Sequence, residues 1–220
     1  MTSVALLRRL WSGEGITLPD GTGVPTEVRP HPRPVSPCLP LWLTASGSLE
    51  TWVAAGRLRA NVLSTTAGHS RMELAERIRV YREAYAAAPE QAGTADRGTV
   101  TLMTHTYVGL DDADALRRVA VPLRAYLRSY VGQTASNRQT SSGGGTLTAT
   151  DTDTLTEFAL RRYLAWGSLL GSAETCAKSL TDLRDLGCDE VACFIDFGLG
   201  REELLASLDR LADVRKGLTT

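Results

Sequence analysis

The chain has 220 residues, enough for one sizeable core, and 43% of them are hydrophobic. Its 24 basic and 25 acidic residues nearly cancel, which excludes a global field that would draw it to nucleic acid or an anionic membrane. No apolar run approaches the roughly 20 residues needed to span a bilayer, and residues 1–11 lack the basic region and apolar block of a secretory signal.

In chain order, residues 4–12 predict a helix, with Leu6, Leu7 and Leu10 on one face and Arg8 and Arg9 on the other. Residues 13–40 are rich in Gly and Pro and predict a long loop carrying a short hairpin around Asp20-Gly21-Thr22-Gly23. A strand follows over 41–45, a helix over 49–58 and a short strand over 60–64. Leu74, Ile78, Tyr81 and Tyr85 recur at helical spacing and predict a helix over 70–87. The β-rich, alternating stretch from Val100 to Val108 predicts a strand. A helix is expected over 111–130, with Asp112 and Asp114 placed for its N-terminal dipole. Residues 132–150 are polar and rich in Gly, Ser and Thr, the composition of a mobile linker. Helices over 153–169 and 173–187, a strand over 190–197 and a helix over 200–214 complete the chain.

This alternation of strands and helices is the signature of βαβ units and a parallel sheet, hence a single α/β domain over residues 1–220. A closed (β/α)8 barrel has eight strands and needs roughly 250 residues. The expected fold is therefore a partial barrel of about four parallel strands, equivalent to a C-terminal half-barrel.

Four cysteines, Cys38, Cys176, Cys188 and Cys193, form no CxxC pair and no metal spacing. They are expected as free thiols in a reducing cytoplasm. No nucleophile triad, Walker loop, GxGxxG or metal cluster is present, and Gly143-Gly144-Gly145 lacks a preceding strand, so it reads as spacer.

The clearest candidate site is the turn where the 41–45 strand runs into Ala45-Ser46-Gly47-Ser48 and then an acidic helix start. Free N–H groups at a helix start point at an anion, and small residues let it approach. Ser46 and Ser48 are the candidate hydroxyl donors, although Ser48 also suits a plain N-cap without a ligand. A similar turn, Gly171-Ser172-Ala173-Glu174-Thr175, opens a later helix. His105, in mid-strand between two threonines, has a pKa suited to proton transfer or a cofactor contact; a buried, hydrogen-bonded core histidine fits the same pattern. His69 lies in a loop after a strand, where barrel active-site loops gather, and equally suits a surface loop. Arg161 and Arg162 beside Tyr163 are either a phosphate clamp or a solvated helix face. Asp196 ends the last strand, as active-site rim or as a cap. His31 is expected in solvent, and Trp42 and Trp52 in the core.

Several stretches resemble bacterial luciferase-like flavin monooxygenases. They are Leu10-Trp11-Ser12-Gly13-Glu14, Arg33-Pro34-Val35-Ser36-Pro37, Leu41 to Gly47, Thr101 to Gly109, Arg162-Tyr163, Gly171 to Cys176 and Asp189 to Gly198. The ordered set spans roughly residues 4 to 215 and is most similar to the branch associated with polyketide and non-ribosomal peptide assembly lines. The resemblance implies a TIM-barrel enzyme that binds reduced FMN at the carboxyl ends of its strands and inserts one oxygen atom of O2 into an organic substrate, free or carrier-bound. It places Ala45, Ser46, Gly47 and Ser48 against the flavin and its phosphate. The superfamily also contains deazaflavin enzymes, so a deazaflavin is the alternative cofactor. Only the C-terminal half of the family pattern is matched, so the chain is expected to oligomerise or to pair with an N-terminal half-barrel. The competing expectation is a non-catalytic half-barrel that binds or scaffolds.

Overall fold

In the computed structural model, residues 3–90, 95–142 and 148–218 are described. They divide into two compact units, Met1–Leu63 with Arg77–Val100 and Ser64–Glu76 with Thr101–Thr220.

The first unit begins with helix α1 (Ser3–Trp11) and the antiparallel hairpin of β1 (Ile16–Pro19) and β2 (Pro25–Val28). Asp20 accepts hydrogen bonds from the Thr22 and Val24 N–H groups and closes the hairpin turn at its expected place. Strand β3 (Trp42–Thr44) then pairs parallel with β4 (Asn61–Thr65), Trp42 opposite Asn61 and Thr44 opposite Leu63. Between them runs α2 (Leu49–Arg57), which packs on the part of α3 (Arg71–Ala87) that belongs to this unit. Gly56 makes that packing possible: a Cβ there would stand 2.6 Å from the Tyr81 carbonyl oxygen. The core is aromatic, with Trp52 edge-on to Tyr81 and Tyr81 edge-on to Tyr85. Trp52 is fully buried, but Trp42 is 40% exposed, against the expectation that both are core. A three-residue strand leaves its first side chain at the margin.

The second unit is organised around β5 (Val100–Val108), buried almost along its whole length, as a parallel strand covered on both faces should be. It pairs parallel with β7 (Glu190–Phe194) over Thr101 to His105 and with β6 (Leu169–Gly171) over Thr106 to Val108. Tyr107 packs with Val119 and Leu123 of α4 (Asp112–Ser142) and with Leu160 and Tyr163 of α5 (Ala149–Ala165). Val108 and Leu169 pack with Cys176 of α6 (Ala173–Asp185) and Val214 of α7 (Arg201–Leu218). The expected α/β architecture with parallel strands is thus observed, the four expected strands being β3, β4, β5 and β7.

Three local features differ from expectation. Strand β6 was hidden because Leu169-Leu170-Gly171 is short and abuts helical patterns on both sides. Helix α4 continues to Ser142, through the first part of the expected linker over 132–150. Ion pairs Arg124–Glu157 at 2.5 Å and Arg128–Asp153 at 3.1 Å show α4 and α5 running antiparallel just before that stretch. Helix α5 starts at Ala149 rather than 153, because Thr148 and Asp151 cap each other reciprocally. Residues 143–147, including the triple glycine, lie outside the described residues. Among the described residues, no helix is long and apolar enough to cross a membrane.

Candidate functional site

The expected phosphate turn lies in the first unit, immediately after the carboxyl end of β3. Ala45 is buried, and its N–H donates to the Leu63 carbonyl, which anchors the turn to β4. Ser46, Gly47 and Ser48 are exposed. Ser48 is the N-cap of α2: its Oγ accepts from the Glu50 N–H at 3.1 Å. That bond uses an acceptor lone pair and leaves the hydroxyl proton to donate outward. A Cβ at Gly47 would meet nothing within 4 Å, so the turn is open to an approaching group. Arg77 of α3 donates from Nη1 to the Gly47 carbonyl at 2.9 Å and holds a cation beside the turn. Neither motif nor spacing singles out Arg77; only the fold brings it there. The turn therefore offers a helix N-terminus, two hydroxyls and a guanidinium, a donor set that fits a phosphate, with Glu50 in the first helical turn as the opposing charge.

The second candidate region belongs to the second unit. A cavity of about 340 Å³ opens between α4 and α5 beside the loop that follows β4. Thr66, Ala67, Gly68 and His69 form its floor. Leu127, Tyr130 and Val131 come from α4, and Phe158, Arg162 and Tyr163 are among the contributions of α5. Thr66 Oγ1 and Thr104 Oγ1 both donate to the Gly167 carbonyl, tying the loop and β5 to the end of α5. Gly167 takes φ +90, a left-handed conformation that suits glycine.

His105 is 3% exposed and touches the cavity-lining Tyr163. Its ring meets Tyr126, Tyr163, Phe194 and Phe197 edge-on, at centroid distances of 4.5 to 5.3 Å. The Tyr163 hydroxyl is the hub: it accepts the His105 N–H at 2.7 Å and lies 3.0 Å from both His105 Nδ1 and Thr104 Oγ1. Among the described residues, Nε2 is buried without a hydrogen-bond partner. Burial pushes the imidazole pKa down from 6.5 to about 4, so the ring is neutral at neutral pH. Tyr163 was visible in the sequence only as part of Arg162-Tyr163; its role as hub needed the pairing of β5 with α5.

The other candidates separate. Arg162 lines the cavity and forms an ion pair with Glu73 at 3.6 Å, while Arg161 donates to the Glu157 carbonyl of its own helix. His69 is half-buried in the floor of the cavity; His31 and Asp196 are exposed. Asp112 does not serve its own helix alone. Its carboxylate accepts from the Ser172 N–H at 2.7 Å and the Thr175 hydroxyl at 3.0 Å, at the N-terminus of α6. The four cysteines are free, and burial raises the Cys176 thiol to about 12 and Cys188 to about 11.

Comparison with known proteins places this arrangement. No curated protein matches the chain. Among solved structures, the monooxygenase RslO1 from Streptomyces bottropensis is similar with a TM-score of 0.66 at 18% identity, over 99% of this chain and 60% of that one. The FMN complex of the oxygenating constituent of 3,6-diketocamphane monooxygenase, from the CAM plasmid of Pseudomonas putida, gives 0.62 at 16% identity, over 95% and 59%. An F420-dependent secondary alcohol dehydrogenase bound to an F420-acetone adduct gives 0.61 at 14%, over 96% and 59%. At these identities the likeness is one of fold, and the chain spans about three fifths of the length of these structures. The family model for luciferase-like monooxygenases matches residues 3–190, and the chain belongs to that family.

Proposed function

We propose that this chain is the C-terminal part of an FMN-dependent monooxygenase of the cytoplasm, acting on a small, natural-product-like organic substrate, free or carrier-bound. The observation that carries the reading is the open turn Ala45–Ser48, with its helix N-terminus and Arg77, in a chain of this family. Reduced flavin, when bound, supplies the activation of O2 and the transfer of one oxygen atom. The Ser46 and Ser48 hydroxyls and the N-terminus of α2 hold its phosphate, Gly47 lets it approach, and Arg77 balances its charge. His105, neutral above pH about 4, acts as a hydrogen-bond partner and packing element rather than as an acid. The matched relatives are longer, so the active form is completed by a further segment or by an N-terminal half-barrel partner.

Two alternatives are tested together with this reading. A deazaflavin in place of FMN draws support from the F420-bound neighbour. A non-catalytic, scaffolding half-barrel draws support from Ser48 already serving as a cap. The test titrates the purified chain with FMN, anaerobically reduced FMN and a deazaflavin, alone and mixed with the N-terminal half of a luciferase-like monooxygenase. Binding of reduced FMN that weakens at least fivefold in Arg77→Ala supports the proposal. Preference for the deazaflavin changes the cofactor, and no flavin binding in either mixture leaves the scaffold reading.

A further inference from the structure

The cavity between α4 and α5 has an uneven chemistry. Its walls carry Leu127, Tyr130, Phe158 and Trp166. Phe158 is 61% exposed and Tyr130 43%, so apolar rings face solvent at a concave mouth, where isolated proteins seldom leave them uncovered. Set into that wall are one guanidinium, Arg162, and one imidazole, His69; among the described residues no carboxylate lines the space. Glu73 lies outside the lining; it forms an ion pair with Arg162 at 3.6 Å, longer than a hydrogen bond, and its carboxylate accepts the Ser70 N–H at 2.7 Å. A volume of about 340 Å³ is at the low end for ligand pockets, which suits a compact ring system and not a nucleotide with its phosphate tail.

We propose that this cavity binds a planar, fused-ring aromatic acid, with its rings among Tyr130, Phe158 and Trp166 and its carboxylate or phenolate on Arg162. The proposal names the substrate class for the monooxygenase reading above, and rests on that reading only in calling the ligand a substrate. Aromatic walls favour a planar guest through offset and edge contacts. A guanidinium presents paired N–H donors that match a carboxylate, and its attraction is stronger where apolar walls displace water.

The test uses the whole chain without flavin and three probes of one shape: 2-naphthoate, 2-naphthamide and 2-naphthylmethylammonium, followed by calorimetry. Naphthoate is expected to bind about tenfold more tightly than the amide, with the ammonium weakest. Arg162→Gln brings naphthoate down to the amide's affinity, and Arg162→Lys keeps most of the preference. Phe158→Ser weakens acid and amide alike, and adding FMN leaves naphthoate binding unchanged. Equal binding of acid and amide, no effect of Phe158→Ser, displacement of naphthoate by FMN, or no binding of any probe at millimolar concentration overturns the proposal. FMN binding is measured separately, so failure here and failure of the flavin reading are told apart.

Discussion

Two turns in this chain have nearly the same sequence logic, Ser48-Leu49-Glu50-Thr51 opening α2 and Ser172-Ala173-Glu174-Thr175 opening α6. Both serines cap their helices, Ser48 through the Glu50 N–H and Ser172 through the Thr175 N–H. They differ in what meets the helix start. At α6 the Asp112 carboxylate already occupies the anion position, taking the Ser172 N–H and the Thr175 hydroxyl, and a Cβ on Gly171 would sit 2.9 Å from it. At α2, among the described residues, nothing lies within 4 Å of a Cβ built on Gly47. The filled turn demonstrates, with an internal oxyanion, the chemistry proposed for the open one. It also teaches that a small-residue helix start is a ligand site only when the fold leaves it vacant.

The largest effect expected is from acid, which should act on the unit containing the filled turn. An unfolded chain binds a proton at His105 near pH 6.5, and the folded one only near pH 4. Stability from this group is therefore complete above about pH 6.5 and falls as the pH drops toward 4, by on the order of 3 kcal/mol. Hydrogen exchange of β5 amides should speed up over that range while amides around Trp52 hold, and His105→Gln should flatten the β5 response. Uniform loss across both units argues against this account.

Next in size is Gly171→Ala, which should cost about 2 kcal/mol by forcing Thr175 and Asp112 aside. Gly47→Ala, with nothing to meet, should stay within about 0.5 kcal/mol. Urea unfolding of the two variants makes the contrast directly, and equal costs mean the two turns are not distinct. Smaller again, Ser172→Ala and Ser48→Ala should each cost about 1 kcal/mol as lost caps. Only Ser48→Ala should also weaken the binding of reduced FMN, read by equilibrium dialysis with the completing half present. Smallest is Asp112→Ala. It vacates the α6 turn, so millimolar phosphate should raise the unfolding temperature of the variant by a degree or two and leave the parent unchanged. The same carboxylate, held below its usual range by its hydrogen bonds from Ser172 and Thr175, stabilises the parent at neutral pH and loses that role fully only as pH falls below the ordinary carboxylate range.

Much of the fold was legible because local chemistry and periodicity agreed. Leu74, Ile78, Tyr81 and Tyr85 mark α3, and the Val100 to Val108 run marks β5. What escaped notice depended on distant partners. Gly, Ser and Thr after Tyr130 have the composition of a linker, yet α4 continues through them to Ser142. Asp112 suits its own helix dipole on local grounds, and nothing nearby in the chain says that Ser172, sixty residues away, completes its hydrogen bonds. At the candidate sites, the Ala45–Ser48 turn was visible as small residues before a helix. Arg77 and Tyr163 were not, because their roles come from the carbonyl and the strand that the fold sets opposite them.

Tyr163 gives the second unit a built-in reporter. Its ring borders the cavity while its hydroxyl holds the backbone and imidazole of His105. Any guest that shifts the ring must also disturb the magnetic environment of that one imidazole. Occupancy can therefore be followed by the resonance of a single buried side chain, with no label attached.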